Sequence, residues 1–207
     1  MVKDLKSRFI VLDGPDGCGK STQTAMLADY LTKQGVSVSV FRDPGSTKTG
    51  EKIRQILLDA QNHINDRTEL LLYMASRAQL WAEGIAPAMK KGDCVLLDRW
   101  LSSTCAYQGF AGGIGIEKVV DIAERCLERV WPDLTIILDI DLETAKKRMN
   151  RSLDRMEQKT DEYHKKVRQG FLEIGKLGAN IVVIDASAAL ETVNKKIIQT
   201  VEDFFKS

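Results

Sequence analysis

Short runs of β-branched and aliphatic residues recur along the chain at 9–12, 36–41, 95–97, 135–140 and 181–184. Each has the length of a strand, and longer segments with apolar residues at helical spacing separate them. The first run meets a glycine-rich turn, and 21–34 then reads as a helix stopped by Gly35 in the C-cap role. The same alternation continues with helices predicted at 68–91, 116–129, 160–176 and 190–205. Such an order belongs to a parallel sheet with helices on both faces. The pattern therefore predicts one α/β domain over 1–207 with five parallel strands. Pro87 interrupts the 68–91 stretch, and because its ring clashes with the preceding turn, a kink or an end is expected there.

Composition narrows the class. A chain of 207 residues with 43% hydrophobic and 29% charged side chains can bury a sizeable core, which excludes global disorder and fibrous structure. Thirty Lys and Arg against 29 Asp and Glu leave a net charge of +1, so no general pull on nucleic acid or an anionic membrane is expected. No apolar run approaches the roughly 18 residues of a membrane span, and residues 1–7 lead straight into the first strand, so a cytoplasmic protein is expected. Cys18, Cys94, Cys105 and Cys126 lack C-x-x-C spacing and predict free thiols in a reducing compartment. His63 and His164 are the only histidines, which leaves little for metal hydrolysis or a Ser-His relay.

The strongest motif is Gly14-Pro15-Asp16-Gly17-Cys18-Gly19-Lys20-Ser21, a full match to G-x-x-x-x-G-K-[ST] between a predicted strand and a predicted helix. Its glycines let backbone N–H groups face phosphate oxygens, and the helix start adds partial positive charge. Lys20 is expected to reach the β and γ phosphates of ATP, with Thr22 ending the ATP-binding stretch. Ser21 and Asp98, the latter closing the 95–97 strand, are the expected oxygen ligands of Mg²⁺. The fold class is thus a P-loop NTPase-type sheet.

A phosphate loop leaves the second substrate open. No N-K-x-D guanine reader is present. A nucleotide kinase needs a second phosphate pocket with arginines, an aromatic surface for a base and a basic lid. Tyr73 and Arg77 lie four apart on a predicted helix, hence on one face, where a ring can stack on a base while a guanidinium donates to its edge or to a phosphate. Arg99 supplies a planar fork, and Arg42 and Arg54 are further sources of charge. Lys146, Lys147, Arg148, Arg151 and Arg155 form a basic segment in which Arg148, Arg151 and Arg155 would make one stripe on a helical lid. The alternatives are another nucleoside or nucleotide kinase of this fold, or a nucleotide-binding module without turnover, against which intact Lys20, Asp98 and Arg99 speak.

From residue 9 to about 205 the motifs occur in an order that resembles the thymidylate kinases. Asp43-Pro44-Gly45-Ser46-Thr47 resembles that family's E-P-G-G-T turn, and 69–80 its helix with an aromatic and an Arg. Asp98-Arg99 with Ser103 and Ala106-Tyr107-Gln108-Gly109 is similar to its D-R-x-x-x-S-x-x-A-Y-Q-G, the most specific of these segments. Leu153-Asp154-Arg155-Met156-Glu157 resembles its lid, and Asp185-Ala186 its adenine-side loop.

The resemblance implies phosphoryl transfer from ATP to dTMP, Mg²⁺ as cofactor, a mobile lid near 146–158, and a homodimer in contact through helices such as 68–91. The acceptor is itself a phosphate, mostly dianionic at pH 7, so no general base is required. By the resemblance Arg99 grips the acceptor phosphate, and Asp16 accepts a hydrogen bond from the sugar 3′-OH. Tyr107 packs where a ribose 2′-OH would sit, its ring and not its hydroxyl excluding that group. Ser103 and Gln108 line the base pocket, and Tyr73 stands where the family usually has Phe. Some members carry an Arg at the position of Gly17. This chain resembles those that use lid arginines instead, with Arg148 and Arg151 both candidates for the catalytic role beside Lys20 and Arg99. An Arg introduced at Gly17 is then expected to replace part of a lost lid cation.

Overall fold

The structure, a computed structural model, describes residues 5–149 and 152–206. In chain order, β1 (Phe9–Asp13) leads into α1 (Lys20–Lys33), then β2 (Val38–Arg42), α2 (Lys48–Leu58), α3 (Asp66–Leu80), α4 (Ala86–Lys91) and β3 (Cys94–Asp98). These are followed by α5 (Leu101–Thr104), α6 (Ile116–Cys126), β4 (Leu134–Asp139), α7 (Leu142–Arg148), α8 (Asp161–Ile174), β5 (Ile181–Asp185) and α9 (Leu190–Phe204). The expected five-stranded parallel sheet is present, in the order β2-β3-β1-β4-β5.

The central strand β1 is buried at every position, as a strand covered by helices on both faces must be. Its side chains alternate between two cores. Phe9 and Val11 join Leu70, Trp100, Val119 and Phe171 on one face, whereas Ile10 and Leu12 join Leu27, Leu31, Ile197 and Val201 on the other. Among the described residues no helix is long and apolar enough to cross a membrane.

Three departures from the sequence pattern have local causes. The 68–91 helix is α3 and α4 joined by a π-helical turn at Trp81–Ile85, with Pro87 in the first turn of α4. Proline donates no N–H and crowds the carbonyl four residues earlier, so the ladder widens just before it. Helix α2 is not among the predicted helices although Ile53, Ile56 and Leu57 recur at helical spacing, and α5 with the π-helical stretch Cys105–Ala111 after it is too short for a helical period to show. The helical lid expected through the basic segment is not formed: α7 stops at Arg148 with Met149 extended. Asp154 then accepts from the N–H groups of Met156 (2.9 Å) and Glu157 (3.0 Å), an aspartate-centred turn in place of a helix. Arg151, one of the two candidate lid arginines, lies outside the described residues.

Helix α8 packs closely on the Cys105–Ala111 stretch, which carries Tyr107 and Gln108. A Cβ at Gly170 would sit 2.9 Å from Phe110 Cβ and 3.1 Å from Ala106 Cα. Gly170→Ala is therefore expected to destabilise the fold by about 1–3 kcal/mol through overpacking. Urea unfolding checks this; an unchanged midpoint would show that the two helices separate without cost.

Candidate active site

The strand order reverses beside β1, and there the crevice of an open α/β sheet forms at the carboxyl ends of the strands. A cavity of about 860 Å³ occupies it, running from Tyr73 and Gln108 past the glycine loop to Ala188 and Leu190. All of Asp16, Gly17, Cys18, Gly19, Lys20, Ser21 and Thr22 line it, while Gly14 and Pro15 lie behind as backbone acceptors.

Gly17 has φ 79, and a Cβ there would come within 2.6 Å of the Ala145 carbonyl oxygen in α7. The left-handed backbone favours glycine and the close approach of the α7 backbone requires it. The expectation that an Arg at this position can stand in for a lid cation is therefore overturned: the side chain would have to displace the α7 backbone before reaching any phosphate. Lys20 is buried, and its ammonium donates to Gly14 O (3.0 Å) and Pro15 O (2.8 Å). It lies along the loop, held by neutral acceptors, at the start of α1 where unpaired N–H groups favour anions.

Opposite the loop, β3 delivers Asp98 and Arg99. Ser21 Oγ donates to Asp98 Oδ2 at 2.5 Å, so the two oxygen ligands expected for Mg²⁺ are adjacent at the cavity wall. Hard oxygen donors of this kind fit Mg²⁺, which takes one or two protein ligands and completes its shell with phosphate and water. Among the described residues no group of three or more His, Cys, Asp or Glu could hold a metal unaided.

Arg99 has φ 71, an uncommon conformation for a non-glycine residue that turns its side chain back over the loop. Its guanidinium donates to Gly14 O and Ser103 Oγ, both at 2.8 Å, and forms an ion pair with Asp16. Tyr107 donates its hydroxyl to the other Asp16 oxygen at 2.6 Å. Burial pushes the Asp16 carboxyl up, but the charges of Arg99 and Lys20 and the Tyr107 hydrogen bond outweigh it and pull its pKa down to about 2. Burial and the Asp16 charge push the Tyr107 hydroxyl well above its ordinary range, so it remains the donor. The Tyr107 hydroxyl thus adds to the charges of Arg99 and Lys20 in keeping Asp16 ionised.

At the far end of the cavity Tyr73 is half-buried one turn from Arg77, as the spacing requires. Arg77 is less available than expected. Its Nε and Nη2 donate to Asp43 Oδ2, and Nη2 also reaches Trp100 O (3.1 Å) and Thr104 Oγ1 (3.2 Å), leaving Nη1 with only the Met74 sulfur at 3.7 Å. Ser103 lines the cavity, yet its hydroxyl donates to Asp13 (2.6 Å) while accepting from Arg99. Gln108 is buried and donates Nε2 to Glu69 at 2.8 Å. Arg54 donates to Pro44 O (3.0 Å) and Arg42 pairs with Glu51, and both line the cavity. Ser46 replaces the second glycine of the resembling turn at φ 62, its hydroxyl accepting from the Arg42 N–H.

The opposite end is the 186–190 loop after β5. Arg148 at the end of α7 donates to Ala186 O (2.9 Å) and Ser187 O (3.2 Å). Gln23 donates to Leu190 O (2.9 Å) and accepts from Asn194 (3.0 Å), tying this loop to α1. Arg155, expected on one stripe with Arg148, points elsewhere: it pairs with buried Glu69 and donates to Leu57 O at 2.7 Å. The stripe is overturned because no helix spans the two residues.

Sequence reasoning missed Asp13, Asp43 and Glu69. Asp13 is fully buried and accepts from Ser102 Oγ (2.5 Å), Ser103 Oγ and the Ser103 N–H (2.9 Å), fixing the segment after Arg99. Its one sequence signal is that β1, like β3, ends in Asp.

The family model for thymidylate kinase matches residues 12–197. The chain is 47% identical over 202 residues to the thymidylate kinase of Thermoanaerobacter sp. (strain X514), covering 97% of this chain and 100% of that one. With that of Caldanaerobacter subterraneus subsp. tengcongensis it shares 43% identity over 204 residues, 98% of each chain. It superposes on the crystal structure of thymidylate kinase from Ehrlichia chaffeensis with a TM-score of 0.77 at 29% identity, covering 95% and 98% of the two chains.

Tyr107→Phe removes one of the four interactions that lower the Asp16 pKa, the others being the charges of Arg99, Lys20 and His164. Its carboxyl is expected to titrate above the value of about 2, nearer the ordinary carboxylate range, in a carbon-detected NMR titration. The depressed pKa stabilises the fold above the unfolded-state value near 4, and this stability is lost as pH falls through about 2. The variant should therefore lose its share of that stability at neutral pH. An unmoved Asp16 titration would show that the hydroxyl contributes nothing.

Proposed function

The chain belongs to the thymidylate kinase family, and on that premise we propose that it transfers the γ-phosphoryl group of ATP to dTMP, yielding dTDP and ADP. The observation that carries the reading is Arg99. Its guanidinium touches both the phosphate loop, through Gly14 O, and the Asp16–Tyr107 pair of the second pocket, the junction where donor and acceptor phosphates must meet.

ATP is read along residues 14–22, its adenine toward the Ala186–Leu190 end, where Gln23 and Arg148 organise the loop. In the second pocket Tyr73 stacks on the thymine, Nη1 of Arg77 and the amide of Gln108 face its edge, and Asp16 takes the sugar 3′-OH. Tyr107 fills the space of a 2′-OH. Arg99 exchanges Gly14 O for the acceptor phosphate, and Lys20 exchanges its loop carbonyls for the transferred phosphoryl group, since charge-assisted bonds exceed those to neutral carbonyls. Ser21 and Asp98 would hold Mg²⁺, which would supply charge neutralisation for the transferring phosphates. An acceptor that is already a dianion needs no base, so the protein's work is positioning and charge neutralisation.

Residues 146–158 are read as the lid over ATP, with Arg148 and Arg151 its candidate cations. Homodimerisation is proposed through α2 and α3, where Ile56 and Leu71 are exposed apolar side chains. A cytoplasmic setting agrees with buried free thiols at Cys18, Cys94 and Cys105.

A coupled assay across dTMP, dUMP, UMP, dCMP and AMP should give the highest kcat/KM with dTMP; a clear preference for another acceptor would overturn the assignment. Lys20→Ala is expected to lower kcat by about 10² or more with the fold intact. Arg99→Ala should weaken dTMP far more than ATP, and equal losses for both nucleotides would make Arg99 structural. Light scattering should exceed the monomer mass of 23.1 kDa, the value that would remove the dimer.

A further inference from the structure

Glu69 is a carboxylate that no binding role explains. It is 2% exposed, on α3 one turn before Tyr73, and both of its oxygens are engaged as acceptors. Oε1 receives Nε2 of Gln108 at 2.8 Å, and Oε2 receives the guanidinium of Arg155. Arg155 is itself fixed by backbone: its Nε donates to Leu57 O at 2.7 Å and its N–H to Leu58 O at 3.1 Å. Gln108 is 3% exposed and lines the cavity beside Tyr73.

A side-chain amide presents a donor at one end and an acceptor at the other, and a half-turn exchanges them. Here the exchange is blocked. An ionised carboxylate only accepts, so a flipped Gln108 would set two acceptor oxygens face to face in a buried site, leaving both unsatisfied. With Arg155 holding Oε2, neither Glu69 oxygen is free to donate. The amide nitrogen therefore faces Glu69, and Oε1 is the end left for the cavity.

We infer that Glu69 is a specificity-determining positioning residue: by fixing the amide polarity of Gln108 it makes the pocket demand a hydrogen-bond donor on the base edge. Thymine carries such a donor at N3–H, whereas cytosine has a lone pair at N3 and would meet acceptor with acceptor. The inference rests on the dTMP reading of this pocket and adds the residue that sets its selectivity. Arg77 Nη1 contributes a donor at the same edge, so some discrimination persists without Glu69.

The test is the ratio of kcat/KM for dTMP over dCMP. Glu69→Gln keeps the size but can donate as well as accept, which frees Gln108 to turn; the ratio should fall at least about tenfold through the KM of the acceptors, with the KM for ATP unchanged. Glu69→Asp retains an acceptor-only group and should keep most of the ratio. Gln108→Leu should lower the ratio as Glu69→Gln does, and combining the two should add nothing. A purely structural Glu69 would reduce both substrates in proportion, so an unchanged ratio in Glu69→Gln, or a further fall in the double variant, overturns the inference. Calorimetry on the unaltered protein is independent of whether the variants fold. It should bind dTMP at least about tenfold more tightly than the 3-deaza analogue, in which C–H replaces N3–H, and equal affinities overturn the inference. An unaltered protein that turns over dTMP while failing these tests retains its proposed function; one that does not turn over dTMP loses both.

Discussion

Five parallel strands deliver their last residues to one rim of the sheet, and an aspartate stands at or just past the end of each. Across the sheet these are Asp43, Asp98, Asp13, Asp139 and Asp185. Like charges so close to a low-dielectric core are costly unless each is paired. Every one has its donors: Arg77 for Asp43, the Ser21 hydroxyl for Asp98, and Ser102 and Ser103 for Asp13. Arg168 donates two bonds of 2.7 Å to Asp139, and the Ser187 N–H donates to Asp185. The donors of the first four come from α3, α1, α5 and α8 and so tie those helices to the rim, whereas exposed Asp185 is served by its own following loop.

The same demand shapes the chemistry. A rim of carboxylates draws cations inward, and Lys20, Arg99 and Arg54 face the cavity between them. None is locked in a dry ion pair of the Asp43–Arg77 kind, which is 1% exposed on both sides. Lys20 rests on carbonyls, Arg54 on Pro44 O, and Arg99 on a carbonyl, a hydroxyl and a partly exposed carboxylate. The arginines thus separate by burial. Arg77 is 1% exposed and held as a strut on Asp43, whereas Arg99 is 17% exposed and lines the cavity.

The basic segment divides in the same way. Arg148 anchors the end of α7 to the loop after β5, and Arg155 anchors the start of the following turn to α2 and α3. Glu69 connects that second anchor to Gln108, and through it to the wall of the cavity.

Much of this was legible in the amino-acid order. Five strands, their parallel sense and the phosphate loop follow from local patterns, because strand burial, helix periodicity and glycine geometry are properties of short segments. The placement of Tyr73 and Arg77 on one face follows from helical spacing alone. Only the tertiary structure decided which arginines are engaged. Arg77 meets Asp43 across 34 positions and Arg155 meets Glu69 across 86, and no local pattern encodes a pairing at such distance. Spacing suggested a helical stripe through Arg155, but the Asp154 turn and the Glu69 partner outweigh the small gain of an exposed helix. Gly17 reads in sequence as loop freedom; that it also admits the Ala145 carbonyl, and so excludes any side chain, is a matter of how α7 packs. Local chemistry nominated the candidate side chains, and long-range packing chose which of them are engaged by the fold and which face the cavity.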